Sequence, residues 1–178
     1  MITIISATNR PNSRTEFTAQ YIYDLIGKFT DEEVNLIKLS EVDPGFVHPK
    51  MYSGDFQHPE LTEIQDKYII PAEKWIVLSP EYNGSYSGIG KVFIDALSVR
   101  RYGETFRGKK VGLIGIASGR GGNLRGLDHL TTAFNYLGMT VFPNRLPISR
   151  IETMIEDDQF NADFVEELDK YLAAFVKF

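Results

Sequence analysis

Ile2-Thr-Ile-Ile-Ser-Ala-Thr-Asn-Arg-Pro-Asn-Ser-Arg-Thr15 decides how this chain folds. A β-branched apolar run, Ile2–Ser6, gives way to a polar turn crowded with hydroxyls. The segment Thr15–Phe29 follows, with Ile22, Leu25, Ile26 and Phe29 at i, i+3, i+4 and i+7. A period of two handing over to a period near 3.6 is a strand, a loop and an amphipathic helix. Working outward, the motif recurs. Val34–Leu39, Trp75–Leu78, Val111–Ile116 and Met139–Phe142 are further short apolar runs. Helical spacing returns in Ser87–Val99, through Ile89, Val92, Phe93, Ala96 and Leu97. It returns again at Leu127, Leu130, Phe134 and Leu137, and in a terminal helix at Phe160, Phe164, Leu168, Tyr171, Leu172 and Phe175.

Strands alternating with helices predict right-handed βαβ units and a parallel sheet covered on both faces. Five strands at this spacing fit the doubly wound α/β order 2-1-3-4-5. The 178 residues suffice for one domain, 1–178, with a substantial core. One long irregular connection, Ser40–Pro59, carries three prolines, two glycines and two histidines. A loop of that length reads as a lid over a site, a packed surface loop or an oligomer contact.

Composition narrows the function. A net charge of −5 with no basic run argues against nucleic acid or an anionic membrane as main partner. The absence of cysteine removes disulfides, thiolate metal sites and thiol nucleophiles. Met1–Ser6 has no basic segment ahead of its short apolar run and does not read as a signal peptide. No stretch approaches the ~20 apolar residues of a membrane span. A cytoplasmic protein is the expectation.

In a doubly wound sheet ligands bind outside the carboxyl ends of the strands, where strand order reverses. The loops after the first, third and fourth strands hold the unusual residues. The first is Ser6–Thr15, with four hydroxyls and two guanidinium groups just before a helix. Unpaired N–H groups at a helix start, with Arg and hydroxyl donors, suit a phosphomonoester; ordinary capping by Ser13 or Asn12 is the plainer alternative. The second, Ser79-Pro-Glu-Tyr-Asn-Gly84, sets an aromatic face beside close-approaching backbone, as a planar heteroaromatic ring requires. It reads equally as a polar turn. The third, Ala117-Ser-Gly-Arg-Gly-Gly122, lets backbone approach a ligand, with Arg120 placed to meet its edge or a phosphate, or else solvated.

Competing signatures are missing. No Gly-Lys pair is followed by Ser or Thr, no G-x-G-x-x-G follows the first strand, and there is no G-x-S-x-G elbow. His48, His58 and His129 are isolated in sequence, so no metal site is expected from them. The neighbours Asp128 and His129 read as a solvated or packed pair.

At these three loops the chain resembles the NAD(P)H-dependent FMN reductases, a flavodoxin-like family that includes flavin, quinone, azo-dye and chromate reductases. Its phosphate loop, G-S-x-R-x-x-S-x-N, is matched by Ala7-Thr-Asn-Arg-Pro-Asn-Ser-Arg-Thr15, with Ala7 for the glycine and Thr15 for the asparagine. Pro80-Glu-Tyr-Asn-Gly-Ser85 is similar to its P-E-Y-N-G-S flavin loop without departure. Gly90-Lys91, Ile94-Asp95 and Leu97-Ser98 resemble the helix that follows, and Ser118-Gly-Arg-Gly-Gly122 the third loop. The resemblance runs from residue 1 to about 142.

The resemblance implies FMN, with NADPH or NADH as donor and a small-molecule acceptor. It implies that Thr8, Arg10, Ser13 and Thr15, with Arg14 beside them, hold the phosphate. Pro80, Glu81, Tyr82, Asn83 and Gly84 would form the flavin loop, Tyr82 against the ring. Ser118, Gly119 and Arg120 would border the pyrimidine side. No protein acid or base is required, since hydride passes through the flavin. A homodimer or homotetramer pairing through Ser87–Val99 is implied as well. Tyr86, Tyr102 and Arg100-Arg101 flank that helix as a partner surface, or else pack on the Ser40–Pro59 loop. The rivals are a one-electron carrier like flavodoxin, a non-catalytic flavin-binding module and a hydrolase.

Overall fold

The computed structural model describes residues 1–53 and 57–178. Strands β1 (Ile2–Ser6), β2 (Val34–Lys38), β3 (Lys74–Pro80), β4 (Lys110–Ile116) and β5 (Thr140–Val141) form a parallel sheet in the order β2-β1-β3-β4-β5. The doubly wound order expected from the sequence is the one observed. Alternation within the strands builds two cores. Ile2, Ile4, Ile76, Leu78, Ile114 and Ile116 face one side, covered by α1 (Arg14–Leu25) and α6 (Ala162–Phe175). Ile5, Ile37, Trp75, Val77, Val111 and Leu113 face the other, covered by α2 (Pro59–Ile64), α3 (Gly88–Ser98), α4 (Tyr102–Phe106) and α5 (Leu124–Tyr136). Trp75 is fully buried between Phe106 and Phe134, at ring separations of 5.6 and 6.1 Å. Burying each such side chain contributes on the order of 1.5–3 kcal/mol.

Three departures from the sequence reading have physical causes. The fifth strand, expected over Met139–Phe142, pairs only through Thr140 and Val141 and resumes as β6 (Leu146–Ile148) beside Ile114–Ile116. Pro143 has no N–H to donate, so the ladder breaks there, and an edge strand tolerates Pro147. A helix absent from the reading, α2, starts at Pro59 and widens into a π-helical turn over Gln65–Ile69. Its apolar stripe was masked by Gln65, whose buried amide donates to the carbonyls of Leu97 and Arg100 and to Thr105 Oγ1. A short hairpin, β7 (Ile155–Glu156) and β8 (Gln159–Phe160), turns on Asp157 and Asp158, both with positive φ.

The described part of the Ser40–Pro59 connection is a packed loop. Val42, Phe46 and Met51 are buried in it, and Phe46 meets Phe93 of α3 edge-on at 6.2 Å. Residues 54–56 of that expected loop lie outside the described residues.

Lys109, at the start of β4, donates from Nζ to the carbonyls of Ile69 and Ile70 at 2.7 and 2.6 Å, and burial pushes its ammonium down to about 8. In the unfolded chain a lysine keeps its proton to about pH 10.4. Above about pH 8 the unfolded state therefore binds more protons than the folded one, and stability rises with pH in that window. Urea unfolding should show the stability of the native protein gaining on that of Lys109→Met between roughly pH 8 and pH 10. A constant difference would mean that Lys109 stays charged throughout.

Candidate functional site

The parallel register places Ser6 beside Leu78 and Pro80 beside Ile116, so the loops after β1, β3 and β4 emerge at one edge. The first loop climbs into α1 through a capping box. Ser13 Oγ accepts the Glu16 N–H at 3.2 Å, while the Glu16 carboxylate reaches back to the Asn12 N–H at 2.6 Å. That carboxylate also accepts the Ser40 hydroxyl, tying this loop to the one after β2. Capping is thus real, but it uses few of the donors. The N–H groups of Ser13, Arg14 and Thr15, the Thr15 hydroxyl and the Arg10 guanidinium have no partner among the described residues.

These donors open on a cleft of about 150 Å³ with Thr8, Arg10, Ser13, Arg14 and Thr15 on one wall. Pro80, Glu81 and Tyr82 form another, and Ala117 and Ser118 a third. Glu152, which the sequence reading missed, closes the mouth: its carboxylate accepts Arg14 Nε–H at 2.8 Å. The departure at Ala7 is directed inward. Its methyl is buried in the core, and a Cβ on Gly90 of α3 would come within 3.3 Å of it. The alanine therefore leaves the cleft open.

The second loop is a tight hairpin. The Tyr82 and Ser85 backbones exchange hydrogen bonds of 2.9 and 3.1 Å across Asn83 (φ 52°) and Gly84 (φ 75°). The Glu81 N–H is already spent on Ile116. Of the backbone donors expected along Glu81 to Gly84, only those of Asn83 and Gly84 are uncommitted among the described residues. The half-buried Tyr82 ring stands between the cleft and a groove bounded by Leu39, Val42, Ile89 and Val92, and its hydroxyl is 3.2 Å from Thr8 Oγ1.

Asn123, also missed, staples the second loop to the third. Its Nδ2 donates to the carbonyls of Ser79 and Pro80, both at 3.0 Å, and its N–H to the Glu81 carboxylate at 3.2 Å. It sits in the left-handed region (φ 60°), where asparagine is among the few tolerated side chains. Gly126, one turn on, lies against it so closely that a Cβ would collide with the Asn123 amide and, at 2.6 Å, with the Tyr86 N–H nitrogen. Gly-Gly-Asn before a helix was the available signal. Ser118, Gly119 and Arg120 are exposed at the rim of an adjoining cavity. Asp128 pairs with Arg145 at 2.6 Å and His129 Nδ1 lies 2.8 Å from Ser85 Oγ, both residues being exposed on α5.

The residues flanking α3 do not form the free surface that the sequence suggested. Tyr86 and Tyr102 pack against the core. Arg100 and Arg101 both bind Asp66 at 2.8 Å, holding its carboxyl below the ordinary range.

The doubly wound sheet thus carries a donor-rich cleft and an aromatic hairpin at its carboxyl edge, where folds of this class bind their ligands. The model of the NADPH-dependent FMN reductase family matches residues 1–153, and the chain belongs to that family. It is accordingly an NAD(P)H-dependent oxidoreductase with FMN as cofactor. Among solved structures, the NAD(P)H:acceptor oxidoreductase FerB of Paracoccus denitrificans aligns over 99% of this chain and 94% of its own, with 18% identity and a TM-score of 0.75. An apo NADH:FMN oxidoreductase aligns over 98% and 87%, with 23% identity and a TM-score of 0.74. An azoreductase of Bacillus anthracis covers 99% of both chains at 18% identity and a TM-score of 0.65.

Asn123→Ala should destabilise the protein by about 1–3 kcal/mol, since it removes the two side-chain hydrogen bonds to the Ser79 and Pro80 carbonyls and puts a less tolerant residue at positive φ. Chemical denaturation of the apoprotein checks this. A loss below about 0.5 kcal/mol would mean the two loops hold together without the staple.

Proposed function

We propose that the cleft between the first and third loops holds the FMN phosphate, and that Tyr82 carries the ring system. The observation behind this reading is the set of uncommitted donors at Arg10 and Ser13–Thr15, gathered at the positive end of α1 in a cleft of about 150 Å³. Thr8, buried and hydrogen-bonded to Tyr82, links the phosphate end to the ring end. The N–H groups of Asn83 and Gly84 face the ring edge, and Ser118, Gly119 and Arg120 border its pyrimidine side. When bound, FMN supplies the centre that accepts hydride and passes electrons on. The chain's own task is to hold and orient it; no side chain is assigned as acid or base. The acceptor is a small molecule, such as free flavin, a quinone, an azo compound or a metal oxyanion. We place the protein in the cytoplasm and treat residues 1–178 as one flavin-binding domain.

Charge-assisted hydrogen bonds contribute about 1.5–3 kcal/mol each, so FMN should bind at least ~100-fold more tightly than riboflavin. Fluorescence titration checks this, and equal affinities would remove the phosphate from the cleft. In the same titration Tyr82→Phe should bind FMN nearly as the native protein does, and Tyr82→Ala about three- to tenfold more weakly, as expected for a lost stacking contact. An Ala variant of native affinity but lowered apoprotein melting temperature would make Tyr82 a loop anchor only.

We further propose self-association through the outer edge of α3. Ile89 and Val92 line a largely apolar groove with Leu39, Val42 and Pro44. Light scattering at micromolar concentration should give at least twice the chain mass of 20.2 kDa. The monomer mass would contradict it.

A further inference from the structure

Carboxylates stand among the donors of the phosphate cleft, and they are used differently. Glu16 accepts the Asn12 N–H and the Ser40 hydroxyl. Glu81 accepts the Asn123 N–H, and a Cβ built on Gly121 would lie 3.5 Å from the same oxygen, so this carboxylate is turned toward the third loop. Glu152 instead meets a cation, accepting Arg14 Nε–H at 2.8 Å. Both members of that pair line the cleft of about 150 Å³ that gathers Thr8, Arg10, Ser13 and Thr15.

Glu152 is not carried there by a loose loop. It stands on a tight 3-10 turn, Ile151–Met154, that follows β6. The Arg150 N–H donates to the Gly119 carbonyl and the Ile151 N–H to the Ala117 carbonyl, both at 3.0 Å, and the Ile151 side chain is buried. These bonds fix the backbone before Glu152 against the loop after β4. Arg14, the first residue of α1, commits only its Nε; its two terminal NH2 groups have no partner among the described residues. Side-chain exposures of 39% and 57% make this an open pair, and open pairs contribute little to stability. Stability alone therefore gives little reason for a carboxylate at this place.

We propose that Glu152 sets the strength with which the site holds FMN: its carboxylate competes with the FMN phosphate for Arg14, and riboflavin, which lacks the phosphate, is indifferent to it. The inference rests on the placement of the phosphate given above. A guanidinium offers five N–H donors in one planar fork. Either the phosphate takes the fork and the pair breaks, or the two anions share it and repel each other. In both cases the carboxylate opposes the phosphate. A cofactor held against such a competitor exchanges more readily than one in a cleft of donors alone.

Fluorescence titration of FMN and of riboflavin into the full chain, stripped of flavin, tests this. Glu152→Gln keeps the size of the side chain and removes its charge. It should bind FMN about three- to tenfold more tightly than the native protein does, and riboflavin equally well. Arg14→Gln should bind FMN several-fold more weakly. In the Arg14→Gln background the gain from Glu152→Gln should fall below about twofold, because direct repulsion between water-screened groups is weak. Glu152→Gln protein that binds FMN no more tightly than the native one, or that gains as much for riboflavin, overturns the proposal. The pair is then only a tie between α1 and the segment after β6, and a lowered melting temperature of the variant reports that role. A gain undiminished by Arg14→Gln overturns it too, since Glu152 then acts on the phosphate without the arginine. Native protein that binds FMN and riboflavin equally contradicts the phosphate placement itself, a failure read before any variant is made.

Discussion

Everything at the functional edge depends on the parallel pairing of β1, β3 and β4. Ile4 opposite Ile76, and Ile76 opposite Gly112, fix a register in which three strands end together. That register is held by burial on both faces: a slip of one residue would turn each strand's side chains to the opposite core. The apolar interior thereby sets the positions of polar groups that lie outside it. Thr8, Tyr82 and Ser118 stand far apart in the chain and share one cleft because the strands beneath them are in register.

Above the sheet, polar contacts fix what the core cannot. Asn123 joins the β3 and β4 loops, Glu16 joins the β1 and β2 loops, and the Arg14–Glu152 pair joins the start of α1 to the segment after β6. Each such tie joins segments distant in sequence through polar contacts, so it orders the rim without calling on the hydrophobic core. The donors that remain, chiefly the first N–H groups of α1 and the Arg10 guanidinium, are the ones free to meet a ligand. The division between spent and unspent hydrogen-bonding groups is what gives the edge its chemistry.

Much of this was legible in the sequence. Short apolar runs alternating with period-3.6 stripes made the doubly wound order readable, because β1, β3 and β4 are buried on both faces and α3, α5 and α6 carry clear apolar stripes. The Pro80–Ser85 hairpin and the glycines of the third loop were readable because turns with positive φ demand those residues. What was hidden has one common feature, an interaction between distant segments. Gln65 disguised α2 because a buried amide bonded to α3 and Thr105 looks, in sequence, like an exposed polar residue. Tyr86, Tyr102 and the Arg100-Arg101 pair read as a surface, since neither the core beneath the rings nor Asp66 beside the arginines is close in sequence. Asn123 and Glu152 escaped for the same reason: their significance lies in what the fold sets opposite them.

The central claim, that these three loops form one FMN-dependent redox site, is tested most directly by anaerobic visible spectroscopy of the protein reconstituted with FMN. One flavin per chain should stay bound through gel filtration, bleach on addition of NADPH or NADH, and regain its colour when a quinone is added. A protein that emerges free of flavin, or whose bound flavin neither nicotinamide nucleotide can bleach, would contradict the account.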